Sequence, residues 1–273
     1  MTLVFTVIFL IVVIIGVTLV FLIMPRVSDR ADMDMLTSDY AHRGLWSKQI
    51  PENSLPAFAL AVERGFGIEL DVRLSVDGVV MVFHDENLKR MCGVNSKLSV
   101  NKAAVLKTLR LGETQYTIPP LEDVLTMVDG RVPLLIEIKG EGKEEKLCRA
   151  VAEMLDMYPG VFAVQSFNPL ILKWFKKFRP RFPRGQLVTK VKKVKGKKAP
   201  RLTAFLMSNL MLNVLSRPDF ISVNGKRLNN LPFKLCVGLF KCRGFVWTVR
   251  DQNQHRRCHS KGLYTIFERF LPY

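Results

Sequence analysis

The chain has 273 residues, 48% of them apolar, which is enough for one large domain or two modest ones with a sizeable core. Its five cysteines are odd in number and irregularly spaced, a pattern that argues against a disulfide framework or a zinc site and is compatible with reduced thiols. The formal net charge is +17, and all of it lies outside the apolar N-terminal segment.

The first predicted element is a transmembrane helix within residues 1–25. An apolar run extends from Leu3 to Met24 and is broken only by two threonines and one glycine. At about 1.5 Å per residue the run is about 33 Å long, enough to cross a hydrocarbon core of about 30 Å. A cleaved signal peptide would need a basic N-terminal region and a small-residue cleavage site, and a buried core helix would not be apolar on every side. We therefore expect a single-pass membrane anchor.

A polar linker over residues 26–37 follows, and its two arginines decide the predicted orientation. Arg26 and Arg30 are the basic residues nearest to the span, and the strongly basic remainder of the chain follows them. By the positive-inside rule, the C-terminal domain is expected to face the cytoplasm.

Apolar strands and helices alternate through the remaining domain, residues 38–273. The predicted strands are Tyr40–Arg43, Gly67–Arg73, Val79–His84, Leu134–Lys139, Phe162–Phe167, Gly185–Thr189, Phe220–Asn224, Phe245–Val249 and Tyr264–Phe267. The predicted helices are Ser54–Arg64, Leu121–Val128, Lys143–Met157, Pro169–Phe178, Leu202–Leu215, Leu231–Leu239 and Asp251–His259. Short apolar strands separated by helices form βα units around a parallel sheet, and about eight such units predict an α/β fold, a TIM (β/α)8-type barrel.

Two segments depart from a regular barrel. The link from Leu74 to Gly78 is too short for a βα crossover, and Asp77-Gly78 is typical of a tight turn. We therefore expect a hairpin that distorts the barrel locally at its second and third strands. Residues 86–120 are too long for an ordinary βα loop and are expected to form a small insertion at the active-site face, where the C-terminal ends of the strands meet.

Three carboxylates are expected to face the barrel interior. Glu69 and Asp71 are two residues apart on one apolar strand, so their side chains point to the same face, and Glu137 lies on another apolar strand. Buried carboxylates repel each other unless a cation compensates them, and oxygen ligands of this kind suit a hard divalent cation, Mg²⁺ or Ca²⁺. The alternative is a salt bridge to Arg43 or Lys139.

Two histidines lie at predicted strand ends close to these carboxylates. Each one alone would more often be structural, but His42 and His84 at equivalent strand ends, beside Arg43 and a metal site, indicate a general acid–base pair. Arg43 and Lys139 are suited to bind a phosphodiester. Three carboxylates with a divalent cation leave one negative charge, the substrate adds another, and these two cationic side chains neutralise both. The set predicts metal-assisted cleavage of a phosphodiester.

A basic tract extends from Lys173 to Arg201 and contains thirteen Lys and Arg and no Asp or Glu. No nucleic-acid motif accompanies it, so nucleic acid is not an expected partner. Beside a membrane anchor the expected partner is anionic lipid, since each Lys or Arg near such a surface contributes about 1 kcal/mol; a solvated face is the alternative. The predicted helix Leu202–Leu215 is strongly apolar, which suits either a lipid substrate or packing on the barrel.

Several motifs together resemble the glycerophosphodiester phosphodiesterase family, within the phospholipase-C-like phosphodiesterase barrels, over essentially all of residues 38–273. In chain order they are His42-Arg43-Gly44, Pro51-Glu52-Asn53, Glu69-Leu70-Asp71-Val72, Asp77-Gly78, His84-Asp85, Pro119-Pro120-Leu121-Glu122-Asp123, Glu137-Ile138-Lys139, Gln165-Ser166-Phe167 and Val246-Trp247-Thr248-Val249. The resemblance implies His42 and His84 as the catalytic acid and base, Glu69, Asp71 and Glu137 as metal ligands, Arg43 and Lys139 as phosphate contacts, Glu52 at the active-site rim and Trp247 in the pocket wall. It also agrees with an insertion at residues 86–120.

The reaction that the resemblance implies is hydrolysis of glycerophosphodiesters to glycerol 3-phosphate and an alcohol, with one divalent cation. Hydrolysis of lysophospholipids at the membrane, a lysophospholipase D reaction, is the first alternative, and a non-catalytic, membrane-tethered barrel that binds lipid is the second. Three departures from the family pattern bear on the alcohol side of the substrate. The first is Arg250 where Asn is usual. The second is Thr265-Ile266-Phe267-Glu268 in place of the usual closing strand, which ends in Thr-Asp. The third is Met91-Cys92 where a hydroxyl pair is common.

Overall fold

The structure, a computed structural model, describes residues 2–26, 31–140, 142, 144–194 and 197–273, so Arg30, part of the linker and Lys195 of the basic tract lie outside the described residues. The helices are α1 (Thr2–Ile23), α2 (Leu55–Glu63), α3 (Lys89–Cys92), α4 (Ala103–Leu106), α5 (Leu121–Val128), α6 (Glu144–Asp156), α7 (Pro169–Phe178), α8 (Arg201–Ser208), α9 (Asn213–Ser216), α10 (Leu231–Gly238) and α11 (Gln252–His259). The strands are β1 (Tyr40–His42), β2 (Gly67–Leu74), β3 (Val80–Val82), β4 (Leu134–Ile138), β5 (Phe162–Ser166), β6 (Arg184–Val188), β7 (Lys193–Val194), β8 (Lys197–Lys198), β9 (Phe220–Asn224), β10 (Arg243–Val249) and β11 (Tyr264–Phe267). Short 3-10 helices span Ala31–Leu36, Leu98–Val100 and Gly225–Arg227.

Eight parallel strands close into a barrel in the order β1-β2-β4-β5-β6-β9-β10-β11, and β11 pairs back to β1. Helices such as α6 and α7 pack one apolar face on the outside of the sheet, because their apolar residues recur at helical spacing. This arrangement confirms the predicted TIM-type barrel. The predicted strands of the barrel agree with the observed ones to within two residues at either end.

The interior of the barrel is apolar at its N-terminal end. Alternate residues of each strand face inward, and those nearest the N-terminal end are apolar and buried; they are Tyr40, Leu135, Ala163, Phe220, Phe245 and Ile266. Met33 and Leu36, from the 3-10 helix that precedes β1, pack against this layer and close the opening. This apolar layer excludes water from the N-terminal end of the barrel. The inward-facing polar side chains therefore lie at the C-terminal end of the strands.

The predicted hairpin after β2 is present. Strand β3 runs antiparallel to β2, with Val82 opposite Val72, and the turn contains Gly78 at a φ of +87°. Strand β2 extends beyond its pairing with β4, and β3 runs back along this extension until the Phe83 N–H donates to the Asp71 carbonyl at 2.9 Å. The expected local distortion at the second and third strands is therefore confirmed, and it returns the chain to the barrel rim.

Residues 86–120 form an insertion with an apolar cluster of its own against β3. The buried members of the cluster are Met81, Phe83, Leu88, Leu98, Ala103, Leu106, Leu111 and Ile118. The Asp77 carboxylate in the hairpin turn accepts a hydrogen bond from the Ala103 N–H at 2.9 Å, which ties the turn to the insertion. The insertion thus has a fixed position beside the C-terminal end of β2.

The prediction of one helix over Leu202–Leu215 is wrong. Helix α8 ends at Ser208 and α9 begins at Asn213. Between them the Asn209 side chain donates to the Phe205 carbonyl at 2.9 Å, and Leu210 adopts a φ of +59°, outside the range of a right-handed helix. Burial of Leu210 in the barrel's outer core holds this break in place.

The basic tract is divided between the two ends of the barrel. Residues Lys173–Arg181 lie on α7 and the loop before β6, and the described residues of Lys190–Arg201 follow β6. Because β6 crosses the barrel between them, the first group lies at the N-terminal end of the strands and the second group at the C-terminal end.

Helix α1 joins the barrel at the N-terminal end of the strands. Among the described residues it is the one helix that is long and apolar enough to cross a membrane, a property shared by membrane anchors and signal sequences. Only its last turn touches the barrel: Asn213 donates to the Ile23 carbonyl, and Arg217 donates to the carbonyls of Phe21 and Met24, each at 2.8 Å. Asn213 and Arg217 both precede β9, so the rest of α1 projects from that end.

Candidate active site

The inward-facing residues at the C-terminal ends of β1, β2 and β4 form a buried acidic centre. Strand register sets His42 beside Glu69 and Asp71 beside Glu137. The three carboxylates are 3%, 1% and 6% exposed, and one oxygen of each lies within 4.8 Å of the others. The spacing of two along β2 therefore does direct both carboxylates into the barrel, and β4 supplies the third.

Two cationic side chains lie against these carboxylates. The Lys139 ammonium is 2.8 Å from Asp71 Oδ1 and 2.6 Å from Glu137 Oε1, and Arg43 Nε is 3.3 Å from Asp71 Oδ2. The salt bridges that the sequence offered as an alternative to a metal site are thus present. Glu69 is held differently, since it accepts from the Arg43 backbone N–H at 3.3 Å and from Gln165 Nε2 at 3.2 Å.

Burial and neighbouring charges shift the pKa values of the three carboxylates in different directions. Burial, together with the neighbouring Asp71 and Glu137, raises the pKa of Glu69 well above its usual range. Burial alone would also raise the pKa of Asp71, but Lys139 leads the opposing interactions and the pKa falls well below its usual range. The pKa of Glu137 is raised by burial despite Lys139. Two of the three carboxylates thus lack sufficient positive charge, which a divalent cation would supply.

The donor set also fits a hard cation by its chemistry. Glu69, Asp71 and Glu137 offer oxygen ligands only, and one oxygen of each lies close enough to the others to bind the same ion. Beside them the Oε1 atom of Gln165 is buried and, among the described residues, accepts no hydrogen bond. An unpaired buried acceptor is costly, and a cation or a water bound to one would satisfy it.

His42 is oriented by a carboxylate from the last strand. Its Nδ1 lies 2.7 Å from Glu268 Oε2, and its Nε2 lies 4.0 Å from Glu69 Oε2. Burial raises the pKa of Glu268, but the hydrogen bonds and charges of His42 and Arg250 together lower it to about 2, so this carboxylate is ionised and Nδ1 must carry the proton. Burial lowers the pKa of His42 itself, although Glu268 opposes the shift. The neutral imidazole therefore turns the lone pair of Nε2 toward the acidic centre.

His84 reaches the site by a route other than the one predicted. It follows β3, which runs antiparallel, so His84 does not stand at a strand end equivalent to that of His42. Arg73 holds the backbone there by donating Nε and Nη2 to the His84 carbonyl at 2.8 and 2.6 Å. The Nδ1 of His84 lies 2.6 Å from Asp85 Oδ1, and burial lowers the pKa of His84 to about 4. His84 is thus a second neutral imidazole paired with a carboxylate.

Glu52 and Asn53 connect the acidic centre to the insertion. Glu52 accepts from Arg43 Nη1 at 2.8 Å and from Arg90 Nη2 at 2.6 Å, while Arg90 Nε also donates to Asp85 at 2.5 Å. Asn53, buried at a φ of +54°, donates Nδ2 to Asp71 Oδ2 at 2.9 Å. The Pro51-Glu52-Asn53 motif thereby sets the position of both Arg43 and Asp71.

Trp247 and Arg250 lie on the opposite side of the barrel mouth. The Trp247 indole N–H donates to the Ser222 carbonyl at 3.0 Å, and its ring meets Phe167 edge-on at 5.5 Å between centroids. Arg250 Nε donates to Glu268 Oε1 at 2.7 Å and so links this wall to His42. Both line a cavity whose other charged lining residues are all cationic; they are Lys190, Lys192, Lys226, Arg227, Arg257 and Lys261.

The structure brings together most of the residues that the sequence indicated and adds others. His42, Glu69, Asp71, Glu137, Arg43 and Lys139 form one cluster, His84 and Glu52 border it, and Trp247 lies across the mouth. Three further residues were not predicted from the sequence: Glu268 and Asp85, which pair with the histidines, and Arg90, which binds Asp85 and Glu52. For Asp85 and Glu268 a signal existed, since each is a carboxylate directly after a strand or hairpin at the C-terminal face.

Comparison with known proteins places this geometry in a family. The sequence profile described as the glycerophosphoryl diester phosphodiesterase family matches residues 42–268. A glycerophosphodiester phosphodiesterase of Caldanaerobacter subterraneus is 32% identical over 242 residues, which cover 84% of this chain and 92% of that protein. The solved structure of an Oleispira antarctica phosphodiesterase, in complex with the product sn-glycerol-3-phosphate, is 25% identical with a TM-score of 0.71 and covers 87% of this chain and 94% of that one. A human lysophospholipase D is 36% identical over 110 residues, 40% of this chain and 34% of that protein.

Proposed function

The chain belongs to the glycerophosphoryl diester phosphodiesterase family and is a glycerophosphodiester phosphodiesterase, a phosphoric diester hydrolase. From this premise we propose that it releases glycerol 3-phosphate and an alcohol with His42 and His84 as general acid and base. The observation that carries the proposal is the pair of carboxylate-oriented imidazoles next to three buried carboxylates and two cationic side chains.

Members of this family use a divalent cation, and Glu69, Asp71 and Glu137 would hold it. When bound, the cation polarises a phosphate oxygen and neutralises charge that develops in the transition state. The oxygen-only ligand set favours Mg²⁺ or Ca²⁺. Arg43 and Lys139 would then contact the phosphodiester, Arg43 as a planar fork and Lys139 as a compact charge.

The two imidazoles would divide the proton transfers between them. One Nε2 accepts the proton of the attacking group, which is water or the neighbouring glycerol hydroxyl, as a new P–O bond forms. The other imidazole donates a proton to the alcohol oxygen as the old P–O bond breaks. Because the lowered pKa values leave both His42 and His84 neutral near pH 7, the donor must take up a proton first, and the negative phosphodiester favours this by raising its pKa.

The position of α1 favours a water-soluble substrate. The barrel contacts of α1 lie at the N-terminal end of the strands, and the active site lies at the C-terminal end. With α1 as a single-pass anchor, as we infer, the catalytic mouth opens away from the bilayer. Turnover of glycerophosphocholine and lysophosphatidylcholine, measured side by side with Mg²⁺ or Ca²⁺, tests this. We expect the larger kcat/KM for glycerophosphocholine, and the reverse order would favour the lysophospholipase D reaction.

One observation supports lysophospholipids as a second candidate. Helix α8 follows the loop that leaves β6 at the catalytic face, and its Leu202 and Phe205 are 68% and 54% exposed. Together with the similarity to a human lysophospholipase D, this apolar surface is suited to an acyl chain. If it binds one, replacing Leu202 and Phe205 by Ser would lower turnover of lysophosphatidylcholine and leave that of glycerophosphocholine unchanged.

For localisation we propose a membrane protein with its catalytic domain on the cytoplasmic side, since Arg26 and the basic domain follow α1. The Lys173–Arg181 half of the basic tract lies at the same end of the barrel as α1 and is the part that would contact anionic lipid. The described residues of Lys190–Arg201 lie at the catalytic end and would face the anionic substrate. A non-catalytic lipid-binding barrel would release no glycerol 3-phosphate from glycerophosphocholine with either Mg²⁺ or Ca²⁺.

A further inference from the structure

A second cluster of metal-binding side chains lies at the end of the barrel opposite the active site. Asp39 directly precedes β1, and His255 and His259 lie on α11. The chain has four histidines, and the two that the catalytic centre leaves unused are these. Their spacing of four on a helix directs both imidazoles to one face, a spacing by which helices chelate zinc.

The ligand atoms of the cluster converge on one point. His255 Nε2 is 2.8 Å from Asp39 Oδ2, His259 Nε2 is 2.9 Å from Asp39 Oδ1, and the two imidazole centroids are 4.3 Å apart. The three atoms lie within 4.8 Å of one another. Tetrahedral ligands at about 2.0–2.1 Å from a zinc ion are about 3.3 Å apart, so small rotations of the side chains would admit the ion.

The surroundings of the cluster fix its carboxylate. The Thr265 hydroxyl and backbone N–H donate to Asp39 Oδ1 at 2.7 and 3.2 Å. Hydrogen bonds from His255, Thr265 and His259 outweigh burial and lower the pKa of Asp39, so the carboxylate is ionised. The Gln252 side-chain nitrogen lies 3.4 Å from His255 Nδ1 and donates to the Tyr273 carbonyl at 2.8 Å, so the amide has a fixed position beside this imidazole. Orientation of ligands by such partners is usual at metal sites.

We propose that Asp39, His255 and His259 bind a structural divalent metal ion of the imidazole-preferring class, with zinc as the ion. Two imidazoles and one carboxylate select such an ion over Mg²⁺ or Ca²⁺, which prefer oxygen ligands alone. On binding, each imidazole moves its proton from Nε2 to Nδ1 through water and its Nε2 lone pair binds the ion. His259 is exposed, so water completes the coordination.

The ion would join three parts of the chain where the barrel closes. Asp39 directly precedes β1, Thr265 lies in β11, and the two histidines belong to α11, which packs on β11. Strands β1 and β11 are the pair that completes the barrel. A metal ion bound only by the folded chain therefore stabilises this closure.

The test uses the full-length chain, freed of metal with a chelator and kept in excess Mg²⁺ so that hard-cation sites are filled. Zinc is added, and bound zinc and the thermal midpoint are measured for the wild type, His259→Gln and Arg257→Gln. The last is an exposed residue of the same helix and serves as the control. We expect the wild type and the control to bind one zinc ion more than His259→Gln and, at a zinc concentration of about 100 Kd, to gain on the order of 5 °C that His259→Gln does not.

Equal zinc binding and equal midpoints in all three proteins would overturn the proposal. X-ray absorption of zinc in the wild type provides a second measurement that needs no variant, should His259→Gln fail to fold. Two imidazole nitrogens in the first coordination shell support the site, and a shell of oxygens alone rejects it. Neither result depends on hydrolase activity.

Discussion

At the residue scale, the chemistry depends on which nitrogen of each imidazole is free. Glu268 and Asp85 hold Nδ1–H of His42 and His84 at 2.7 and 2.6 Å, so both Nε2 lone pairs remain available. Such pairing fixes the tautomer and the ring orientation together. In the proposed reaction the acidic centre would bind the cation, and the two paired imidazoles would carry the protons.

Replacing either histidine by alanine should abolish turnover. His42→Ala and His84→Ala each remove one proton-transfer group, so we expect kcat for glycerophosphocholine to fall by about 10²–10⁴-fold. Calorimetric titration with Mg²⁺ or Ca²⁺ should show metal affinity unchanged, because neither histidine is a proposed ligand. Lys107→Ala, an exposed change in the insertion, serves as the control. Wild-type kcat in either histidine variant would contradict the assignment.

Glu268→Gln should reveal how far Glu268 sets the pKa of His42. The carboxylate raises the pKa of His42, so its removal lowers that pKa further, and whichever limb of the pH profile His42 sets must move to lower pH. We also expect kcat to fall by about 10–100-fold, as for other partners that orient a functional side chain. Asp85→Asn is the matched comparison for His84. A profile of kcat/KM whose limbs stay in place would show that Glu268 does not act through His42.

Side chains whose direction follows from strand periodicity were predictable, and contacts created by closure of the barrel were not. Glu69, Asp71 and Glu137 stand out because carboxylates interrupt apolar strands, and strand periodicity gives their direction. The partner of His42 lies 226 residues away, and their contact exists only because β11 pairs with β1. No periodicity or spacing within one strand contains that information.

At the element scale, the packing of the barrel interior requires a glycine, Gly185, on β6. A Cβ on Gly185 would lie 2.0 Å from the Phe220 ring, which occupies that space. We expect Gly185→Ala to lower the free energy of unfolding by about 1–3 kcal/mol or more, since the buried ring has little room to move. The control is Gly238→Ala at the end of α10, where nothing lies within 4 Å and no loss is expected. Chemical denaturation measures both, and equal stability of the two variants would reject this packing.

The bounds of helices and strands were predictable from the sequence where the apolar periodicity agrees with the tertiary packing. Helix Leu121–Val128 and strand Phe220–Asn224 have the predicted bounds. The break between α8 and α9 does not follow from periodicity, because the apolar pattern continues through Leu210 while the barrel surface requires a turn there. Tertiary packing overrode helix propensity in this segment.

At the scale of the whole molecule, the two ends of the barrel carry different side-chain clusters. The C-terminal end carries the proposed phosphodiesterase site, and the N-terminal end carries the α1 junction and the Asp39 cluster. This division gives an expectation for the anchor. A chain without residues 2–20 keeps the last turn of α1, including the buried Ile23, so the barrel contacts of that turn are retained.

We expect this shortened chain to lose membrane association and to keep the kcat/KM of the full chain for glycerophosphocholine. Sedimentation with vesicles measures the first, and turnover in detergent the second. Vesicles with and without anionic lipid at low salt separate the contribution of the basic tract. Full membrane binding by the shortened chain to neutral vesicles would contradict the role of α1.

The most direct test of the account is the cation dependence of glycerol 3-phosphate release. Chelated wild-type protein should release none from glycerophosphocholine, and added Mg²⁺ or Ca²⁺ should restore turnover. Glu137→Gln, which keeps the shape of the side chain and removes one ligand charge, should require about 10–100-fold more cation for half-maximal rate. Turnover that persists in the chelated enzyme, or a Glu137→Gln variant with the cation requirement of the wild type, would contradict the three-carboxylate site.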